Sequence, residues 1–465
     1  MAAIKDTFVF LTGFLLCFSP FVVEIHADTH TAASCSYSDV STAITAASTG
    51  DIVLVPSGSC TWKSMLTIST GITLQGAGKT STVIIHDVDA PTINITLDND
   101  VPIRITGIGI DKVGYGRRRN AIRYARGWSE KPAITKLRID HNRFTKGNQQ
   151  LFIQGYIYGV IDNNEFVDGN CSIRTYGDNN YAWTRTIEAG TANALFIEDN
   201  TFSVTNALVT GADYTIYHSF GSRTVTRYNT VNYSSYTKGT TAFFDSHGNQ
   251  SYYSGIQNYD FRGQPIIEVY NNNFNGCYVG KNSFTVRSGS LLIHDNSFTG
   301  VRVDGGNVMQ FYEEEDYSNI FRPLRTQWPA QDQITNTFLW NNTCNWSGGV
   351  CSGGNITDIS VLWKSPDCIG PGNPLSCCTA AGVGTCDDVF IQKDRDYFMH
   401  PPQAIGGKST YTGRLGGSTT APTTGDTGNL TFTSSGPNAY YPYTPYTYPH
   451  PLRKATEAPQ NLRIE

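Results

Sequence analysis

One short phrase returns along this 465-residue chain and constrains its fold more than any other feature: an apolar residue, two polar residues, an asparagine, any residue, then phenylalanine. It reads IDHNRF at 139–144, IDNNEF at 161–166, IEDNTF at 197–202, VYNNNF at 269–274 and IHDNSF at 293–298, with weaker copies TRYNTV at 226–231 and LWNNTC at 339–344. The asparagines are Asn142, Asn164, Asn200, Asn229, Asn272, Asn296 and Asn342, in steps of 22, 36, 29, 43, 24 and 46 residues. The short steps set the unit, and the longer ones are that unit with an inserted loop. A repeat of this length with one strand phrase per copy is a solenoid signature.

Alternation along a strand sends side chains to opposite faces. The phrase therefore predicts Phe144, Phe166, Phe202, Phe274 and Phe298 stacked inside, with the Asp, His and Glu between the apolar positions turned to water. Asparagine tolerates left-handed backbone and bonds neighbouring amides, which suits a corner repeated in every coil; stacked copies can form an amide ladder. The expected class is all-β, a right-handed parallel β-helix with coils over about 50–345. Residues 36–48 read as a short amphipathic helix, with Val40, Ile44 and Ala47 on one side, that caps the open N-terminal coil.

Beyond the repeat, the segments TAITAASTGDIVLVPSGSCTW (42–62), GITLQGAGKTSTVI (71–84), SCCTAAGVGTC (376–386) and YTPYTYPHPL (443–452) resemble the pectate-lyase-like superfamily of right-handed parallel β-helices, and more closely secreted bacterial β-helix repeat proteins of unassigned activity. The resemblance implies the fold and a substrate groove along one parallel sheet. It does not name a chemistry, since this fold hosts lyases, hydrolases, epimerases and adhesins.

The N-terminus reads as an address. Lys5 precedes the apolar run FVFLTGFLLCFSPFVV (8–23), and Ala27 closes a cleavage site, so 1–27 is expected to be a signal peptide and the protein secreted. The run is too short and interrupted to favour a spanning helix, and no later stretch approaches that length. A formal net charge of −5 argues against nucleic acid as the main partner. Of the eleven cysteines, ten remain once Cys17 leaves, an even number that favours disulfides in an exported protein. Cys35–Cys60 would staple the cap helix to the first strands, and Cys344–Cys351 would close a short loop. Cys368, Cys377, Cys378 and Cys386 are expected to pair among themselves, with a four-thiolate zinc site as the alternative; the pairing of Cys171 and Cys277 stays open. The organisation read from this is 28–345 β-helix with its N-terminal cap, 346–400 a Cys/Gly-rich C-terminal cap, and 401–465 a Thr/Pro/Tyr-rich tail too poor in aliphatic residues for its own core.

Registering the coils on their asparagines places a glycine, with a larger polar residue ahead of it, upstream of five of them. The polar residues are Gln154, Glu188, His218, Arg262 and Arg287, a column on one face if the register holds. GYGRRRNAIRYARG (114–127) is read as a basic loop, either a solvated excursion or one wall of a groove for an anionic ligand. Two long insertions flank the column: FFDSHGNQSYYSG (243–255), with Asp245, His247, Tyr252 and Tyr253, and FYEEEDYSNIFRPLRTQW (311–328), with Tyr312 and an acidic run at 313–316. Aromatic residues mixed with charge suit a carbohydrate groove. A polysaccharide lyase needs a base for the proton beside a uronate carboxylate and a cation to stabilise the charge formed. His218 or Arg262 is the candidate base and Arg287 the neutralising cation, with Glu188 and His247 completing the catalytic set. Gln154, Asp245, Tyr252, Tyr253 and Tyr312 are the candidate substrate-binding residues. A glycoside hydrolase needs two carboxylates, and the column offers only Glu188. No cofactor is required, although the 313–316 run would suit calcium. The reading is a secreted protein that binds an anionic polysaccharide and cleaves it by β-elimination; a non-catalytic adhesin or fibre protein is the alternative.

Overall fold

The structure, a computed structural model, describes residues 27–113, 120–185, 189–204, 214–233, 242–247, 262–276, 284–299, 308–313, 334, 336–345, 351–352, 354–357, 359–363, 397–402 and 443–454, with the backbone alone at 242, 312–313, 351–352 and 360–363. Within them the chain is a parallel β-helix. Each coil visits three sheets in turn, of twelve, twelve and ten strands. Coil pairing is parallel in every sheet, from Ile52–Val55 against Thr73–Gly76 near the start to Met309–Glu313 against Ser360–Trp363 near the end. Antiparallel pairing is confined to Cys351–Ser352, Asn355–Ile356 and Thr343–Cys344 at the end of the second sheet. The coils run past residue 345: Ser360–Trp363 joins the third sheet and Tyr397–Phe398 the first. Among the described residues no helix is long and apolar enough to cross a membrane.

The phrase occupies the corner from the first sheet to the second. All seven asparagines form one ladder. Each donates from its backbone N and from Nδ2 to Oδ1 of the next, from Asn142 to Asn164 (3.0 and 3.1 Å) through to Asn296 to Asn342 (3.2 and 2.9 Å). Nδ2 also reaches a backbone carbonyl of the coil before, as Asn200 does at Ile161. The left-handed residue is the one before each ladder asparagine: His141, Asn163, Asp199, Tyr228, Asn271, Asp295 and Asn341, with φ of 52–56°. The five phenylalanines are buried as expected. Phe166 stacks on Phe202 at 4.8 Å and Phe274 on Phe298 at 5.0 Å, with Val231 in register between the two groups.

The cap helix spans Tyr37–Ala46, with the Ser36 side chain accepting from Asp39 N and Val40, Ala43 and Ile44 turned inward. Cys35 and Cys60 are bonded, with Cα atoms 5.8 Å apart. Trp62 Nε1 donates to the Cys35 carbonyl at 2.9 Å, so disulfide and indole together hold the cap on the first coil. Cys344 is also disulfide-bonded. The side chain of Cys351 and the residues Cys277, Cys368, Cys377, Cys378 and Cys386 lie outside what is described. Cys171 is a buried thiol whose Sγ lies 3.7 Å from the Ile173 carbonyl.

One expectation about the phrase is corrected. Asp140, Asp162 and Glu198 point outward from the first sheet but are fully buried: Asp140 beneath Arg104 and His141, Asp162 and Glu198 beneath residues 443–454. Glu198 takes the backbone N of His450 (3.0 Å) and the guanidinium of Arg453 (2.9 Å). Arg227 donates to the Tyr446 and Thr447 carbonyls, Arg138 to those of Leu452 and Arg453, and Tyr443 Oη to Glu268 at 2.8 Å. A tail poor in aliphatic residues needs no core of its own when it can satisfy a row of buried charges and lay Tyr446 and Leu452 against Val160, Phe196 and Val225.

Candidate functional site

The third sheet positions the remaining chemistry. Its inward row runs Tyr124, Ile153, Thr175, His218, Ser246 and Val286 in consecutive register. Its outward row, one residue away, runs Asn94, Arg123, Phe152, Arg174, Tyr217, Asp245, Thr285 and Gln310.

This register rearranges the expected column. His218 lies inside the solenoid with no exposure. Its Nδ1 is 2.6 Å from Thr175 Oγ1 and 3.3 Å from Thr224 Oγ1, and its ring packs on Phe244 at 4.7 Å. Burial pulls its pKa down to about 3, and it has no path to a polymer outside, so it is not the base. Arg262 is also withdrawn. Its backbone N donates to Asn179 Oδ1 at 2.7 Å, and its guanidinium lies 4.5 Å from the Trp183 ring centroid on the short helix Asn180–Thr184. It packs a corner and is not in the row. Gln154 is half-buried at the edge of Leu151–Gln154, on the outward side. Glu188, Tyr252 and Tyr253 lie outside the described residues, as do 314–316, and the side chain of Tyr312 is not described.

Arg287, Asp245 and His247 do converge. Arg287 Nε lies 3.1 Å from Asp245 Oδ1, Nη1 lies 3.1 Å from His247 Nε2, and Nη2 donates to Tyr214 Oη at 3.0 Å. One cation thus holds a carboxylate, an imidazole and a phenol around it. The strand Ala242–Ser246 presents Asp245 outward with His247 just past its end, and the neighbouring coil brings Arg287 past the end of Phe284–Val286. Asp245 is fully buried, whereas Arg287 keeps 12% of its side chain exposed. From this cluster an aromatic path runs back along the row. Tyr217 lies 5.2 Å from the His247 ring, Arg174 sits 4.3 Å over Tyr217 and 5.7 Å over Tyr176, and Tyr176 meets Phe152 edge-on at 5.1 Å.

The basic loop expected at 114–127 is partly a strand: Ile122–Ala125 belongs to the third sheet and places Arg123 in the outward row. Arg126 is buried and tied to the Pro132 carbonyl at 2.6 Å and the Asp98 carbonyl at 3.0 Å. Arg117, Arg118 and Arg119 lie outside the described residues. Sequence reasoning missed Phe152, Arg174, Tyr176, Tyr214 and Tyr217. Alternation within LFIQ, CSIRTY and YTIYHS marks Phe152, Arg174, Tyr176 and Tyr217 as outward once Ile153, Ile173 and Ile216 are assigned inward; Tyr214 shares the parity of Ile216 and is not marked by it. Among the described residues no group of three or more His, Cys, Asp or Glu is placed to hold a metal ion.

No family model matches this chain, and no curated protein matches it. Among solved structures, one described as Geobacillus virus E2 ORF18 is similar at 15% identity and a TM-score of 0.33, over 70% of this chain and 56% of its own length. This chain therefore spans little more than half of that protein, and a likeness of this degree carries no functional argument.

Proposed function

We propose that the protein binds an acidic polysaccharide along the outward row of the third sheet and cleaves it by β-elimination at the Arg287 cluster. The observation that supports this most is the meeting of guanidinium, imidazole, phenol and carboxylate within hydrogen-bond reach on the same face as a run of aromatic rings. Arg287 is the cation for a substrate carboxylate, where charge builds as the neighbouring carbon loses its proton. His247 takes that proton, or Tyr214 does so in its ionised form. The carbon–oxygen bond to the leaving sugar then breaks, a carbon–carbon double bond forms, and the leaving oxygen is protonated. Asp245, buried with Oδ1 3.1 Å from Arg287 Nε, supplies the counter-charge of the guanidinium. Phe152 and Tyr176, half-buried in the outward row, are the rings placed to meet sugars, with Tyr217 buried beneath Arg174. The apolar run at 8–23, read as a signal peptide, and the Cys35–Cys60 disulfide support an activity outside the cell. Hydrolysis would require a second carboxylate, and Asp245 is the carboxylate that the described cluster holds.

Incubation with a panel of uronate polymers, followed by the ultraviolet absorbance of unsaturated products, tests the reading. Product is expected with the wild type, reduced about 10²–10³-fold in His247→Ala and Arg287→Lys, since lysine cannot reproduce the fork. Binding without product would move the protein to the adhesin class; neither binding nor product would refute the polysaccharide reading.

A further inference from the structure

The outward row contains a cation whose counter-ion the described fold does not supply. Arg123 is half-buried in Ile122–Ala125. Its Nη1 donates to Asn94 Oδ1 at 3.2 Å, and its Cζ lies 5.8 Å from the Phe152 ring centroid. Burial pulls its pKa down, with no acidic neighbour to oppose it. The contrast is with Arg104, Arg138 and Arg227, each facing a carboxylate within 3.1 Å. A guanidinium partly stripped of water and left without an anion is an unfavourable arrangement that an oxyanion from outside would relieve. Arg123 opens onto a depression of about 360 Å³, walled also by Met65, Asn94, Asn120, Gln149 and Phe152. That volume falls within the range of small-ligand sites. Asn120 is fixed by donating to the Gln149 carbonyl at 2.7 Å.

We propose that this depression is a sugar-acid subsite in which Arg123 receives the oxyanion of the ligand, a carboxylate or a sulfate ester, with Phe152 against the sugar ring and Asn94 beside the charge. The inference rests on the polysaccharide reading and gives it a charge requirement remote from the reacting bond. Arg123, Phe152, Arg174, Tyr217 and Asp245 are consecutive in register, so the subsite lies four strand spacings, about 19 Å, from the cluster. A ligand touching both is an oligomer.

Calorimetric titration with hexasaccharides tests this, using one carboxylated, one sulfated, and one carboxylated chain blocked as its methyl ester. The wild type is expected to bind an acidic chain at least tenfold more tightly than the ester, and the carboxylated and sulfated arms identify the oxyanion. Arg123→Gln is expected to lose most of that preference, leaving the share due to Arg287, and Arg123→Lys to keep more of it. Asn94→Asp, which supplies the counter-ion from within the fold, is expected to lose most of it as well. An unchanged melting temperature shows that each variant folds. If both Arg123→Gln and Asn94→Asp bind the acidic chains as the wild type does, the subsite is wrong and the polysaccharide reading stands. A wild type that binds none of these chains overturns both.

Discussion

The outer faces of the first and third sheets carry similar residues to different ends. On the first, Arg104 forks onto Asp140 at 2.7 and 2.6 Å, Arg138 onto Asp162, and Arg227 onto Glu198. The tail at 443–454 closes over much of that row, with Tyr448 stacked on Tyr228 at 3.8 Å. Burial would raise the Asp140 carboxyl, but Arg104 and His141 outweigh it and hold the pKa at about 2. On the third face, Arg123 meets an amide and a ring among the described residues, Arg174 lies over tyrosines, and Arg287 gathers three different groups. The same solenoid register thus produces one row of arginines held by carboxylates of the chain itself and another, the face proposed for the ligand, in which Arg123 meets no carboxylate among the described residues. Placement in a β-helix is cheap to read as a ladder; the completeness of pairing is what separates a structural row from a binding row.

The largest effect expected of this difference is at Glu198. It faces Arg227, Arg453 and the His450 amide in full burial, so Glu198→Gln leaves buried guanidinium charge uncompensated. A loss on the order of 3–5 kcal/mol is expected in denaturant unfolding. A change below about 1 kcal/mol would show that the first face is not closed in this way.

Next is pH. His450 is pushed down to about 4 by burial, with Glu198 opposing and Arg227, Arg138 and Arg453 reinforcing the shift. The folded state therefore holds fewer protons on this group than the unfolded one. The stabilisation is complete above the unfolded value near 6.5, and is lost as pH falls from there through about 4. On the order of 3 kcal/mol is at stake, and burial of His218 acts in the same direction. Unfolding midpoints between pH 7.5 and 4 should fall for the wild type and fall less for His450→Gln. Parallel curves would place the sensitivity elsewhere.

The smallest effect is on the third face. Arg123→Gln forfeits one hydrogen bond from a half-buried side chain, so its stability should stay within about 0.5 kcal/mol of wild type while acid-ligand binding falls. A large destabilisation would make Arg123 a structural residue like Arg227.

The solenoid was legible because the phrase repeats both of its physical jobs, an inward phenylalanine and a corner asparagine. The column was legible only in part. Gly155, Gly221 and Gly289 do share a positive φ at the corner leaving the third sheet, and at Gly289 a Cβ would meet the Gln264 carbonyl at 1.7 Å. The polar residue ahead, however, stands one place before Gly155, three before Gly221 and two before Gly289. The strand register, not the glycine, sets the face: His218 pairs with Ser246 and that with Val286 on the inward side, while Arg287 stands one place past Val286 and so, at a side-chain period of two, points out. The tail was opaque for another reason: YTPYTYPHPL has no periodicity, and its partners Glu198 and Arg227 belong to coils more than 200 residues earlier.

Hydrogen–deuterium exchange with and without a saturating acidic polysaccharide tests the contrast between the faces most directly. Added protection is expected in Ile122–Ala125, Leu151–Gln154, Cys171–Tyr176, Tyr214–Ser219 and Ala242–Ser246, with none at 443–454. Protection confined to 443–454 and the first-sheet strands beneath it, with the third sheet unchanged, would contradict the assignment of the ligand face.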